Sequence, residues 1–204
     1  MGFFDFLFGS RLPKNVTMHP DKLWITPEAK WAGLRNELDE RAKTQSMAIL
    51  LVAYFEDTFA ALNELAQQYT GSTPLTVALA ENLTPEMAAR LPLDASGQLE
   101  LIVAERHLLW SADEQLLQFA AQLPCRCRLV HHLSLEDPVL KVFVGSNFKE
   151  MLSRLGMTES ESIESQMVSR RVRAAQKKIE AGVPSPQPAS TAAEWIAKNM
   201  PHVN

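Results

Sequence analysis

Cysteine is scarce in this 204-residue sequence: there are two, Cys125 and Cys127, one residue apart. A disulfide between them would be strained, and the cysteine framework of a small secreted domain is missing, so a reducing, cytoplasmic setting is expected. Glycine is also scarce. The eight glycines are scattered singly and no Gly-Lys-Ser or Gly-Lys-Thr occurs, which argues against the glycine-rich strand-to-helix turn that cradles phosphate. Positive charge is not in excess. Twenty basic against 24 acidic residues leave a net charge of -4, so nucleic acid is not expected as a partner. Long apolar runs are missing as well: the longest, Met47 to Phe55, is nine residues, about half of a membrane span. The opening Met1 to Gly9 lacks the basic region and cleavage site of a signal peptide and is expected to be retained. What is present, 46% apolar and 22% charged residues, is ordinary globular usage. A chain of this length buries roughly 70% of its unfolded surface and needs no staple or metal to fold.

Residues 1 to 20 read as an apolar arm, in which Phe3, Phe4, Phe6, Leu7 and Phe8 precede Gly9, Pro13 and Pro20 without a sustained period. Thr26, Pro27 and Glu28 open a helix that runs to about Lys43, with Trp31, Leu34 and Leu38 at helical spacing. The continuously apolar Met47 to Tyr54 predicts a strand covered on both faces. The alternation then repeats. Helices are predicted over Phe55 to Leu65, Thr84 to Leu91 and Ala112 to Leu123, and strands over Leu75 to Ala80, Leu99 to Ala104 and Arg126 to Leu133. Such alternation implies βαβ units and an α/β fold with a parallel sheet. After Glu136 only helices are expected, over Val139 to Phe143, Phe148 to Leu155 and Ile163 to about Glu180. A proline-rich linker, 182 to 190, then leads to a helix opened by the capping box Thr191 to Glu194 and carrying Trp195 and Ile196.

The most specific segment is SLEDPVLKVFVGSNFKEMLSRLGMTESESIESQMVSRRVRAAQKKIE, which starts at Ser134. It resembles the end of the second nucleotide-binding domain of SecA, the preprotein translocase motor ATPase, in its Ser134-Leu135-Glu136-Asp137 and in its Arg154-Leu155-Gly156-Met157. Upstream, Glu105-Arg106-His107 is similar to that family's Thr-Glu-Arg-His. The resemblance runs from about Asp21 to Ala181 and implies a degenerate helicase-type domain over 21 to 181. Its fold would be a RecA-like parallel sheet with flanking helices, followed by C-terminal helices.

The departures from the family pattern set the functional expectation. Between His107 and Leu133 the family carries an arginine-rich helix whose arginines neutralise charge on the transferred phosphate. Here Gln115 is retained, but the arginine positions fall on Leu117, Phe119 and Gln122, and the former cleft is expected to have filled with side chains. The family's glycine-rich Thr-Asn-Met-Ala-Gly segment has no counterpart between Thr84 and Gln98, and these 204 residues hold no phosphate loop. No ATP hydrolysis, no cofactor and no catalytic residue are expected. Glu105, Arg106 and His107 are then a structural remnant.

Three further features have plain readings. Cys125, Cys127, His131 and His132 have zinc-ligand chemistry, but strand alternation sends the two histidines to opposite faces, so no metal site is expected. Arg170, Arg171, Arg173, Lys177 and Lys178, set against Glu159, Glu161, Glu164 and Glu180, read as a solvated helix face. The terminal groups Phe3, Phe4, Phe6, Leu7 and Phe8, and Trp195 with Ile196, are the candidate anchors for a protein partner, a translocation component among them. The first group also offers peripheral membrane contact. The expectation is a non-catalytic SecA-like binding or regulatory module with a link to protein export. The alternatives are half of a composite nucleotide site and a self-associating structural subunit.

Overall fold

The computed structural model describes residues 13–143 and 161–201. The five apolar residues from Phe3 to Phe8 and the helix expected over 148–155 lie outside the described residues. In chain order the elements are β1 (Val16–Met18), β2 (Lys22–Trp24), α1 (Pro27–Arg41), β3 (Ala48–Ala53), α2 (Glu56–Gln67), β4 (Leu75–Leu79), α3 (Pro85–Ala88) and β5 (Gln98–Val103). They continue with α4 (Trp110–Gln122), β6 (Arg126–Ser134), α5 (Pro138–Phe143), β7 (Ile163–Glu164), α6 (Gln166–Gly182) and α7 (Ala192–Asn199).

The uninterrupted apolar run becomes β3, all six residues of which are buried, paired in parallel with β4 on one edge and β5 on the other. The sheet order is β4-β3-β5-β6-β2-β7, and β1 also pairs with β6. All pairings are parallel except that of β7 with β2. Strand alternation divides the core in two. Ile49, Leu51, Ala53, Ile102 and Val130 meet Leu34 and Leu38 of α1 and Leu62 and Leu65 of α2. Leu50, Val52, Leu101, Val103 and Leu129 meet Leu116, Leu117, Phe119 and Ala120 of α4. A third cluster closes the carboxyl ends of the strands, with Phe55, Leu108, Leu133, Val139, Val172, Ile179 and Trp195. Gly33 in α1 has a steric reason, because the Trp24 ring occupies the place of a side chain there.

The sheet departs from the sequence expectation at its edges. Residues 16–18, expected in an irregular arm, form β1. β1 and β2 pair with successive halves of β6, Val16 opposite Cys127 and Lys22 opposite His132. Strands of three residues are too short to display a period, and Pro13 and Pro20 conceal them. Ile163 and Glu164, expected to begin a helix, form β7 instead, and α6 starts after Ser165, whose hydroxyl accepts the Met167 amide. Strands therefore do not end at Glu136. α3 is a single turn capped by Thr84 and is shorter than expected.

Candidate functional site

β3 leads through α2 to β4, on one side, and β5 leads through α4 to β6, on the other. The carboxyl ends of β3 and β5 thus flank the reversal point at which open α/β sheets take ligands. Here a side chain of the protein occupies that point. The Glu105 carboxylate, at the end of β5, accepts the amides of Tyr54 and Phe55 at 2.7 and 3.0 Å and the Thr58 hydroxyl at 2.8 Å. Its oxygens fill the anion position at the N-terminus of α2, whose N-cap residue Phe55 makes no side-chain cap of its own.

Burial pushes Glu105 up to about 7, against the pull of Thr58, the two amides and Lys30. A folded-state value above the unfolded one means that the native state holds the proton more tightly. The associated stability is complete below the unfolded carboxylate range and is lost as pH rises through about 7. Relative to Glu105→Gln, the protein should therefore lose about 2 to 3 kcal/mol between pH 5 and pH 8. Urea denaturation of both proteins across that range measures the difference, and parallel curves would contradict it.

Beside Glu105, Arg106 is 2% exposed and places Nη1 2.6 Å from Asp113 Oδ2 and Nη2 2.6 Å from Asp21 Oδ1. The Tyr54 hydroxyl donates to Asp113 at 2.6 Å, and Gln176 Nε2 donates to Asp113 and to the His107 carbonyl, both at 2.7 Å. Burial opposes charge on Arg106, but the two aspartates override it and hold the guanidinium ionised. Arg106 in turn keeps Asp113 below the usual carboxylate range despite its burial. His131 lies 3.8 Å from each aspartate, and burial, reinforced by Arg106, pushes it down to about 4. It is neutral at physiological pH.

His107 completes the motif. Its Nδ1 accepts the Leu109 amide at 3.0 Å, and burial lowers its pKa, so the neutral ring carries its proton on Nε2. The ring stacks on Phe55 at 5.4 Å and meets Trp195 edge-on at 5.8 Å. Trp195, a candidate partner anchor from the sequence, is instead 3% exposed and packed inside, with Ile196 half-buried against the same cluster. The linker returns to the domain. The Ser190 carbonyl accepts the Glu56 amide at 3.0 Å, and Asn199 exchanges hydrogen bonds with Gln187.

Residues 188–193 thus form a strap between two cavities. One, of about 390 Å³, is lined by Lys30, Thr58, Glu105, Arg106, Asp137 and Ala192 among others. The other, of about 340 Å³, is lined by Tyr54, Glu56, Glu81, Ser190, Glu194 and Lys198 among others. Both cations of the first cavity have carboxylate partners, since Lys30 lies 2.8 Å from Asp137. The Ser134 to Asp137 motif is a turn delivering β6 to α5. Asp137 accepts the Ser134 amide at 2.8 Å, the Ser134 hydroxyl accepts the Glu136 amide at 3.0 Å, and the Leu135 amide donates to the Trp24 carbonyl.

The remaining residues singled out from sequence do not converge on this place. Gln115 and Gln122 are exposed on α4, whereas Leu117 and Phe119 are buried between α4 and the sheet. They are ordinary core, so the expected filled cleft is a helix-to-sheet interface. His131 faces Asp21 and Asp113, while His132 faces Trp24 and Glu37 on the other side of the sheet. Cys125 and Cys127 are buried free thiols. Among the described residues no group of His, Cys, Asp or Glu is arranged to hold a metal ion. Sequence reasoning missed a second buried charge network, in which Glu37 gathers Lys22, Arg41 and Arg128 and Arg128 also meets Glu100. Its one visible signal is Glu100, the only charge in the apolar run of β5.

A mostly parallel sheet with α1 and α2 on one face and α4 on the other, its ligand point at the ends of β3 and β5, defines an α/β protein of the RecA-like class. The relatives are more specific. Over 172 residues the chain is 30% identical to the protein translocase subunit SecA of Acinetobacter baumannii, covering 77% of this chain and 19% of that protein. It is 34% identical over 119 residues to the SecA subunit of Pseudomonas fluorescens, covering 54% and 13%. Against that of Paraburkholderia phytofirmans it is 40% identical over 87 residues, covering 43% and 9%. No family model matches the chain. The protein is SecA-related, and it spans between 9% and 19% of the length of these curated relatives. Among the described residues no helix is long and apolar enough to cross a membrane.

Proposed function

We propose that this chain is a non-catalytic, SecA-like binding module that serves protein translocation without handling nucleotide itself. The observation that carries the reading is Glu105, whose carboxylate occupies the anion position at the N-terminus of α2. A phosphate arriving there would have to displace it and would meet Glu56 and Asp57 in the same turn. Lys30 and Arg106 are already neutralised by Asp137, Asp21 and Asp113. Translocation components are the partners this reading favours, by analogy with the relatives named above. Isothermal titration calorimetry with magnesium-ATP should give no binding tighter than about 100 μM. A dissociation constant at or below about 10 μM, roughly -7 kcal/mol, would refute the reading.

A further inference from the structure

The helix α6 runs against the charge of the whole chain. It carries Arg170, Arg171, Arg173, Lys177 and Lys178 against Glu180 alone, a net +4 in a protein of net -4. The sequence sets these cations against nearby glutamates, but two of those acids, Glu164 and Glu180, are engaged elsewhere in the fold. Glu164 lies 3.6 Å from Lys22, and Glu180 accepts the Ser111 amide at 3.1 Å. Arg173 is half-buried over the Trp110 ring, 4.4 Å from its centroid, and the Lys177 ammonium lies 5.5 Å from the same ring. Among the described residues no carboxylate is within ion-pair reach of Arg170, Arg171, Lys177 or Lys178, and all four are exposed.

Their spacing is regular. Arg170 and Lys177 form one row and Arg171 and Lys178 another, each pair seven residues apart, on either side of a line through Met167, Ala174 and Ala181. That line is exposed. Met167, at 62%, is the one large apolar side chain so exposed among the described residues, and the two alanines leave the helix backbone approachable. The opposite face, Ser169, Val172, Gln176 and Ile179, is buried in the domain.

We propose that this face of α6 is a docking surface for an acidic amphipathic helix of another protein. A helix lying alongside repeats its contacts every seven residues, the interval of all three rows, and its carboxylates would answer a cation row on each side. Small side chains on the central line permit close approach. A bilayer fits less well, because an interfacial helix buries its apolar face in lipid and that of α6 already faces its own core. Nucleic acid fits less well too, since the face offers no aromatic for bases to stack on.

The inference rests on the reading of the chain as a binding module, and magnesium-ATP calorimetry tests that reading independently of this surface. The test here is fluorescence anisotropy of the full chain with a labelled 21-residue helical peptide. The peptide bears alanine and leucine at seven-residue spacing, flanked by glutamates. Binding at about 10 to 100 μM is expected at 50 mM salt, and it should weaken at least about tenfold at 300 mM. A variant carrying R170Q, R171Q, K177Q and K178Q should bind at least about tenfold more weakly, and Ala174→Gln, which leaves the charge unchanged, about threefold. Circular dichroism and thermal melting of both variants should match the parent, because every substituted position is exposed. Absence of binding would overturn the proposal. So would equal binding of a proline-interrupted peptide of the same composition, or capture of the chain by anionic vesicles or an oligonucleotide when the helix is not bound.

Discussion

Arg106→Met should lower the unfolding free energy by about 3 to 5 kcal/mol, one of the two largest effects expected of a single side chain in this protein. Methionine replaces the volume but leaves Asp21 and Asp113, 0% and 2% exposed, facing each other without their cation. His131, 3.8 Å from both, can offset part of the loss only by taking up a proton that burial resists. The triple variant with Asp21→Asn and Asp113→Asn should recover much of the deficit, because it is the uncompensated charge that costs most. Chemical denaturation measures both variants against the parent. A loss below about 1 kcal/mol for the single variant would mean that the network is dispensable.

Trp195→Ala should cost about 3 to 5 kcal/mol. The indole is 3% exposed, against His107 and the cluster that seals the carboxyl ends. Its removal opens a cavity over Phe55 and His107 and loosens the strap. An outward-facing anchor would give the opposite result, with stability unchanged and only partner binding affected. Thermal melting of the variant, and of a chain ending before residue 188, distinguishes the two.

Periodicity made the interior of the fold legible. β3, β4, β5 and β6 and the helices between them come from apolar runs and 3.6-residue spacing, and the capping residues Thr26, Thr84 and Thr191 each accept the amide their position implies. β1, β2 and β7 were illegible because three or two residues carry no period and their pairing depends on partners far along the chain. At the site, Glu105, Arg106 and His107 stood out only through family resemblance, and what they bind was hidden. Asp21 and Tyr54 lie in separate segments, and only the fold brings them to Arg106 and Asp113. The inward turn of Trp195 was illegible for a further reason. A capping box and a proline-rich linker specify a short helix, but not which surface it finds.

The split pairing of β6 also bears on the order in which the molecule can assemble. Asn15 Nδ2 donates to the Ala120 carbonyl, 105 residues further on, and to those of Leu123 and Cys125, finishing the last turn of α4, while β1 and β2 wait on β6 for their hydrogen bonds. During synthesis the amino-terminal strands emerge first but cannot join the sheet until more than half of the chain has followed. Contacts of such separation close slowly, since the loop entropy is lost before any pairing rewards it. The edge of β6 thus closes late, ahead only of the pairing of β7 with β2, and until then its unpaired amides and carbonyls are open to another strand.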